Sequence, residues 1–322
     1  MPRFSSLAAS HLREFAVRWL SSSRKRHGAS VVAQQGVCAS HDHPNPLAEL
    51  FPNNATGVLN ATLAIIPISL EAARRLIPPQ YRILERAYRA LLPGFPEGMY
   101  PVMLQAAHDH DVQFRAYGIT IDDFSRVGFE FPFLDLTGDG YSSFRWAPAQ
   151  LISGINDIAL EGSRAYGTMV SPAEYEPVCD AYRRLPNGAT YFKGSSLSSS
   201  EFVELEMARL PQPTLSPYPL ELFKNITNQP TFANATSCDN MIRLFNTTMS
   251  VGDHAPVPVR GTINARVFPF EGEKAWVNVY GVQVATPFIE NNYLDCRAMR
   301  GYSGTGGPGD SYIHDFNPNE EL

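Results

Sequence analysis

The chain has 322 residues, enough for one large domain or two ordinary ones; 44% of them are hydrophobic and 18% are charged. This balance is typical of a soluble globular protein with a sizeable core. The net charge of −6, without a basic stripe, disfavours a nucleic-acid-binding protein. No uncharged apolar run reaches the roughly 18 residues of a membrane span, so none is predicted.

The N-terminal segment is basic and rich in serine. Residues 1–30 contain six arginine or lysine residues and one acidic residue, Glu14. This composition is typical of an organelle transit peptide, and equally of a disordered tail with a short amphipathic helix. The predicted organisation is a tail over residues 1–47, a folded domain over 48–302 and a flexible C-terminal tail over 303–322.

The first elements of the predicted domain are a strand and two helices. Residues 58–68 are rich in β-branched and aliphatic side chains, as expected of a strand. Ser69 is a candidate N-cap, and Pro78 and Pro79 would end the helix that it begins. A second short helix is predicted over residues 84–92.

The rest of the chain is predicted to form mostly strands, with a hairpin turn at Asp139-Gly140. The predicted strands cover residues 100–107, 118–121, 127–136, 141–146, 190–196, 202–209, 241–249, 260–270 and 275–286. Only two later helices are predicted, over residues 153–162 and 220–227. Without an alternation of strand and helix, a Rossmann or TIM architecture is disfavoured. The predicted fold class is α+β, with a strongly curved antiparallel sheet and few helices.

Three segments resemble the acetoacetate decarboxylase family. The sequence INDIALEGSRAYGTMVSP, residues 155–172, resembles the family's signature segment, in which a helix leads through a turn into a strand. Residues 57–84 resemble its opening strand and helix, and residues 100–111 resemble its next strand. The resemblance spans about residues 50–300. It implies a barrel-like sheet around a small-molecule cavity, where the family uses a lysine that forms a Schiff base with a β-keto acid.

The family's own catalytic groups are missing from the matching positions. Its lysines would fall near Val170 and Ser171, and no lysine lies between Lys25 and Lys193. The positions that match its arginine and its acidic residue also hold uncharged residues. An imine requires an amine whose pKa is lowered enough to leave it neutral. Schiff-base chemistry through the family's lysine is therefore not expected.

Three other residues are candidates for the catalytic site. Glu130 lies in VGFEFPFLDL, where apolar neighbours would raise the pKa of its carboxyl. The alternative, from the period of two, is that Glu130 faces water while the neighbouring phenylalanines face inward. Arg164, in EGSRAYG, would hold a substrate carboxylate, or form a structural ion pair with Glu161. Lys193, in ATYFKGSSL, is the lysine that a different arrangement would recruit, and a surface lysine is the alternative.

The sequence His108-Asp109-His110-Asp111 has the residue types of a metal site. On a strand the two histidines would share a face, but no motif supplies a third ligand. A strand-end turn with exposed polar residues is predicted instead. No metal and no cofactor are predicted, and no nucleotide-binding or nucleophile motif is found.

The predicted function is that of a small-molecule enzyme related to acetoacetate decarboxylase. Its ligand would be a keto acid or a polyketide-like intermediate, and acid–base groups would promote decarboxylation, enolisation or cyclisation. The alternative is a non-catalytic protein that holds a hydrophobic small molecule in the same cavity. Neither nucleic acid nor a membrane is expected as a partner, and a homo-oligomer is left open.

Two features bear on the cellular compartment. The four cysteines form no C-x-x-C pair, and a chain of this length does not require disulfides. The chain also contains five N-x-[ST] sequons, which would matter in a secreted protein: Asn54, Asn60, Asn225, Asn234 and Asn246. Arginines interrupt the apolar residues near the N-terminus, unlike in a secretory signal. An intracellular protein, cytoplasmic or mitochondrial, is favoured, and secretion is the alternative.

Overall fold

The computed structural model describes residue 38 and residues 44–247 and 250–302. The predicted targeting segment and the predicted C-terminal tail, residues 303–322, lie outside the described residues. Leu47, inside the predicted N-terminal tail, is buried against Leu244 and Ile289. Within the described ranges, no helix has the length and apolar character needed to span a membrane.

Strands dominate the described part of the chain, which contains four α-helices. The helices are α1 (Leu70–Leu76), α2 (Glu85–Leu91), α3 (Asp157–Ala165) and α4 (Leu220–Thr227). The strands are β1 (Ala55–Ser69), β2 (Arg82–Ile83), β3 (Met99–Phe114), β4 (Ile119–Ile121), β5 (Phe124–Asp135), β6 (Phe144–Trp146), β7 (Ala149–Ser153), β8 (Met169–Glu176), β9 (Arg183–Arg184), β10 (Thr190–Ser196), β11 (Phe202–Arg209), β12 (Thr231–Phe232), β13 (Cys238–Arg243), β14 (Val257–Arg266) and β15 (Lys274–Leu294). The few helices and the many strands confirm the predicted α+β class.

The sheet closes on itself twice. One ring runs β5-β7-β8-β10-β11-β14-β15-β1-β3 and returns to β5. A second ring runs β13-β12-β6-β5-β3-β1-β15 and returns to β13. The four strands β1, β3, β5 and β15 belong to both rings. This double closure confirms the strongly curved, barrel-like sheet, although the pairs β6–β12 and β7–β8 are parallel rather than antiparallel.

Two glycines allow neighbouring strands to approach closely. A Cβ atom on Gly261 would lie 1.9 Å from the carbonyl oxygen of Glu206, in the partner strand β11. A Cβ atom on Gly281 would lie 2.3 Å from the carbonyl oxygen of Leu63 in β1. Because both obstacles are backbone atoms, neither position has room for a side chain.

The helix boundaries follow local hydrogen bonding. The side chain of Ser69 accepts a hydrogen bond from the backbone N–H of Ala72, which confirms the predicted N-cap of α1. The third helix begins at Asp157, four residues later than predicted. Ser153 is instead the last residue of β7, where the chain pairs with β8. Asn156 provides the N-cap by accepting from the N–H of Ala159.

Strand β5 is buried on both faces. Phe129, Phe131 and Phe133 belong to the main hydrophobic core. Arg126 and Glu130 alternate with these residues and project to the opposite side. That side of the strand faces a cavity instead of solvent, so β5 separates the core from the candidate site.

Candidate active site

A cavity of about 190 Å³ lies within the second ring of strands. Side chains of β3, β5, β6, β12, β13 and β15 form its wall, and residues of α3, including Ser163, contribute to one side. Three basic and four acidic side chains line it: Arg126, Arg145, Arg243, Asp109, Glu130, Asp239 and Glu290. So many charged groups within one cavity require extensive pairing, because burying an isolated charge is costly.

The first charge pair joins β3 to β5. Arg126 donates to both carboxylate oxygens of Asp109, with Nε–Oδ2 at 2.7 Å and Nη2–Oδ1 at 3.2 Å. Burial opposes the charge on Arg126, but Asp109 outweighs it and raises the pKa of the guanidinium. The two-point contact fixes the plane of the guanidinium in the cavity wall.

The second pair joins β5 to β6. Arg145 Nη1 donates to Glu130 Oε2 at 2.6 Å, and its Nη2 donates to the hydroxyl of Thr231 at 2.7 Å. Both charged residues are at least 97% buried. Glu130 thus lines the cavity, as one of the two sequence-based alternatives expected. Its surroundings differ from that expectation, since an ion pair replaces the purely apolar environment.

Arg243, on β13, has two nitrogens without a hydrogen-bond partner among the described residues, its Nε and Nη1, whereas Arg145 has one, its Nε. The Nη2 of Arg243 donates to Gln105 Oε1. The residue is only 2% exposed. Burial, together with the like charges of Arg145 and Arg126, lowers the pKa of Arg243 to about 9, so the guanidinium is still charged at neutral pH. A buried cation with unused donors is suited to binding an anionic group.

Asp239 and Glu290 form an acid pair across β13 and β15. Their side chains share a hydrogen bond. Burial raises the pKa of both carboxyls, and the neighbouring Glu290 raises that of Asp239 further. The two carboxyls therefore titrate as a pair, and this pair retains a proton to a higher pH than an exposed acid does.

Tyr166, just after α3, brings a phenol close to the acid pair. Burial and the negative charges of Asp239 and Glu290 raise its pKa well above the ordinary value of 10. Its ring stacks on that of Tyr293 at 4.9 Å, and its hydroxyl accepts from the N–H of Tyr293 at 3.1 Å. The phenol therefore stays protonated and is held in place by β15.

One part of the cavity wall is apolar. Side chains from the end of β3, from β4 and from the start of β5 line it: Phe114, Ile119, Ile121 and Phe124. Together with Phe288 of β15 they offer contact area to a hydrocarbon or aromatic group. The cavity thus combines an apolar part with the charged strands.

The other two predicted catalytic residues lie outside the cavity lining. Arg164 donates to Glu161 Oε1 at 2.7 Å on the outer side of α3, and its side chain is 39% exposed. This is the structural ion pair of the alternative interpretation. Lys193 is half-buried on β10, where its ammonium group lies 5.6 Å from the ring centroid of Phe202. The strand register places it opposite Glu204.

The positions that match the family's lysines also lie away from the cavity. Val170 and Ser171 are in β8 and are not among the lining residues. The hydroxyl of Ser171 donates to Glu201 Oε2 at 2.5 Å. Within the described ranges, the cavity has no lysine in its lining.

The prediction of exposed polar residues at His108-Asp109-His110-Asp111 is wrong. The first three of these residues lie inside the long strand β3 and are at least 96% buried. His108 Nδ1 lies 3.0 Å from the hydroxyl of Ser125, and Asp109 holds Arg126. The described residues contain no group of three side chains suited to a metal ion.

Sequence reasoning missed most of the charged lining. The available signal was a charged residue isolated among apolar ones in a strand, as in NMIRLF around Arg243 and PFIENN around Glu290. The same period of two that makes Glu130 a candidate also places Arg126 on its face. Their grouping depends on strand pairings between distant segments, such as Met241 opposite Glu290, which spacing along the chain does not reveal.

No protein-family model matches the chain, and no curated protein matches it. Two solved structures that are similar to it are both of MppR, an enduracididine biosynthesis enzyme. The one with HEPES buffer bound has 13% sequence identity and a TM-score of 0.39, over 82% of this chain and 97% of that chain. The other, complexed with the condensation product of pyruvate and imidazole 4-carboxaldehyde, has 12% identity and a TM-score of 0.40, over 80% of this chain and 95% of that chain.

Proposed function

We propose that this chain is a small-molecule enzyme on an acetoacetate-decarboxylase-like barrel, acting on a keto acid or a polyketide-like compound by acid–base chemistry. One observation carries the proposal. The acid pair Asp239–Glu290, with its raised pKa values, shares a cavity with Arg243, a buried cation that has unused donors. Acids with perturbed pKa values in a cavity are characteristic of catalytic sites.

Arg243 is the proposed anchor for a substrate carboxylate. Its Nε and Nη1 donors, which have no partner among the described residues, can each donate to an anionic oxygen. Asp239 and Arg243 are four residues apart on the same face of β13, which separates their Cα atoms by about 13 Å. This separation favours an extended substrate whose reacting carbon lies several atoms from its carboxylate.

The acid pair is the proposed proton donor and acceptor. In an enolisation, the Glu290 carboxylate would remove a proton from the carbon next to the carbonyl group. Asp239 would give its own proton to the carbonyl oxygen, so that the enol forms and the pair keeps one proton in total. A raised pKa brings both carboxyls closer to neutrality, where they exchange protons most effectively. Binding of a carboxylate would raise their proton affinity further.

Glu130 stays in the proposed site as the partner that orients Arg145 and offsets its charge. Arg164 and Lys193 have no role in this proposal, because each is engaged outside the cavity lining. The absence of lysine from the described lining favours acid–base chemistry over an imine.

The alternative is a non-catalytic protein that binds a hydrophobic small molecule. The apolar wall formed by Phe114, Ile119, Ile121 and Phe124 supports it. Both functions predict that a small molecule binds in the cavity, but only an enzyme converts it to a product. Assays that measure both binding and product formation therefore distinguish them.

The test is incubation of the purified protein, with and without borohydride, with a panel of keto acids that runs from 2-keto and 3-keto acids to extended ones whose ketone lies several atoms from the carboxylate. We expect product formation or release of carbon dioxide, no borohydride-dependent mass increase, and loss of turnover in Glu290→Gln. The exposed Glu271→Gln is the matched control and should keep its activity. A trapped adduct that disappears in Lys193→Ala would overturn the acid–base proposal. Tight binding across the panel without turnover would favour the binding protein.

A further inference from the structure

We propose that the protein matures in the oxidising secretory pathway and carries N-linked glycans on Asn234 and Asn246. The inference goes beyond the proposed reaction and does not depend on it. It rests on the disulfides and on the sequons, which the acid–base chemistry does not use. It replaces the intracellular location that the sequence favoured with the secretory alternative.

All four cysteines of the chain are paired. Cys38 bonds to Cys179 across 141 residues of sequence, and Cys238 bonds to Cys296 across 58 residues. No free cysteine is found in the described residues. The cytosol keeps protein thiols reduced, whereas the secretory pathway allows disulfides to form and persist. The complete pairing of cysteines that are distant in sequence therefore favours an oxidising compartment.

The second disulfide supports the wall of the cavity. Cys238 begins β13, the strand that carries Asp239 and Arg243. Its partner Cys296 follows shortly after β15, the strand that carries Glu290. The bond is buried, with Cys238 fully inaccessible and Cys296 8% exposed. Burial limits access of thiols to this bond, as expected of a structural disulfide.

Three of the five sequons are unsuited to a glycan in the folded chain. A glycan attaches through Nδ2 of asparagine, so that nitrogen must reach solvent. In Asn225, which is 3% exposed, Nδ2 donates to the carbonyl oxygen of Glu221 at 2.8 Å. In Asn54 it donates to Asn291 Oδ1 at 2.8 Å. Asn60 lies in the middle of β1, paired with β3 on one side and β15 on the other.

The asparagines of the other two sequons are exposed. Asn234 lies in the turn between β12 and β13, and its Oδ1 accepts from the backbone N–H and the hydroxyl of Thr236. That geometry engages the oxygen and leaves Nδ2 for a glycan. The amide lies close to Gly167, where a Cβ atom would come within 2.2 Å of Nδ2, so any side chain at position 167 would crowd this site. Asn246 is exposed in a bend after β13.

The test is expression of the full chain in a yeast host, once behind a secretion leader and once in the cytosol. Glycans are removed enzymatically in ¹⁸O-labelled water, and disulfides are mapped by non-reducing peptide analysis. We expect protein in the medium, label at Asn234 and Asn246, and linked peptides for both disulfides. Protein in the medium that carries four thiols open to alkylation and no label would overturn the proposal. Label confined to Asn54, Asn60 or Asn225 would overturn the site assignment.

A matched pair of variants tests the Asn234 site directly. Thr236→Ala destroys the sequon and should remove one glycan from the mass ladder. Thr236→Ser keeps the sequon and should leave the ladder unchanged. An identical ladder for wild type and Thr236→Ala would mean that Asn234 carries no glycan.

Discussion

At the scale of single residues, the site depends on unequal pairing among seven ionisable groups. Two arginines have carboxylate partners, while Arg243 bonds to the amide oxygen of Gln105. Asp239 and Glu290 have each other. If every charged group had a partner of opposite charge, the cluster would be a purely structural network. Here Arg243 can still bind an anion, and the acid pair Asp239–Glu290 can still exchange a proton.

The acid pair predicts a pH dependence of stability. Folding raises the pKa of such a carboxyl above its unfolded value of about 4. At pH values between the unfolded and the folded pKa, the folded chain therefore binds more protons than the unfolded chain. The free energy of unfolding should therefore fall as pH rises through that window. Glu290→Gln removes one of the two groups, so its melting temperature should fall less between pH 4 and 8. Melting curves that run parallel for wild type and variant would contradict the raised pKa of Glu290.

Arg243 predicts a loss of binding without loss of fold. Arg243→Met replaces the buried guanidinium by an apolar chain of similar length. Charge-assisted hydrogen bonds contribute about 1.5–3 kcal/mol, so carboxylate ligands should bind roughly 10- to 150-fold more weakly. Isothermal titration calorimetry with a keto acid that binds to the wild type measures the change in dissociation constant. Arg164→Gln, which alters an exposed arginine outside the cavity lining, is the control and should bind as wild type. Equal affinity in Arg243→Met would remove Arg243 from the site.

At the scale of elements, the disulfide between Cys238 and Cys296 fixes the two strands that hold the acid pair. Replacing both cysteines by serine should lower the free energy of unfolding by about 2–5 kcal/mol. Urea denaturation of the variant against the oxidised wild type measures this loss. An unchanged midpoint and slope would show that strand pairing alone holds β13 in place.

The close contact between β11 and β14 predicts that an alanine destabilises the protein at Gly261 but not at the uncrowded Gly94. Gly261→Ala places a methyl group against the carbonyl oxygen of Glu206 and should cost about 1–3 kcal/mol. Gly94→Ala, where no atom lies within 4 Å of the added carbon, should change stability by less than about 0.5 kcal/mol. Thermal denaturation distinguishes the two. Similar melting temperatures for both variants would mean that the strands can separate without cost.

Local sequence patterns were sufficient where the structure depends on near neighbours. The strands Thr190–Ser196 and Phe202–Arg209 and the helix Leu220–Thr227 have the bounds that patterning predicted. The strand predicted over 100–107 instead continues to Phe114, because His108, Asp109 and His110 are buried by distant segments. The polarity of these three residues suggested that they are exposed. Their burial is explained only by strand pairing with segments that are distant in sequence.

The site was harder to predict than the fold for the same reason. Glu130 could be identified as a candidate because its apolar neighbours are adjacent in sequence. Its partner Arg145 is 15 residues away, and Gln105 and Arg243 are separated by 138 residues. Family resemblance directed attention to Val170 and Ser171, which lie outside the cavity lining. The resemblance therefore guided the prediction of the barrel better than the prediction of its chemistry.

At the scale of the whole molecule, two rings of strands share β1, β3, β5 and β15. The first ring and the hydrophobic core stabilise the shared strands, and the second ring surrounds the cavity. Closure removes the free edges that strands β5 and β15 would otherwise expose. The charged groups of the site thus lie on strands that are held from both sides, which favours a fixed arrangement of acid, base and anchor.

Hydrogen–deuterium exchange at the carbon next to the carbonyl group distinguishes acid–base catalysis by Glu290 from simple binding of a keto acid. The protein is incubated in deuterium oxide with keto acids, and proton NMR follows the signal of the hydrogens next to the carbonyl group. The acid–base account predicts that wild type accelerates the loss of this signal, that Glu290→Gln is slower by about 10²–10⁴-fold, and that Glu271→Gln matches wild type. Equal exchange rates in wild type and Glu290→Gln, or no exchange of a keto acid that binds through Arg243, would contradict the account.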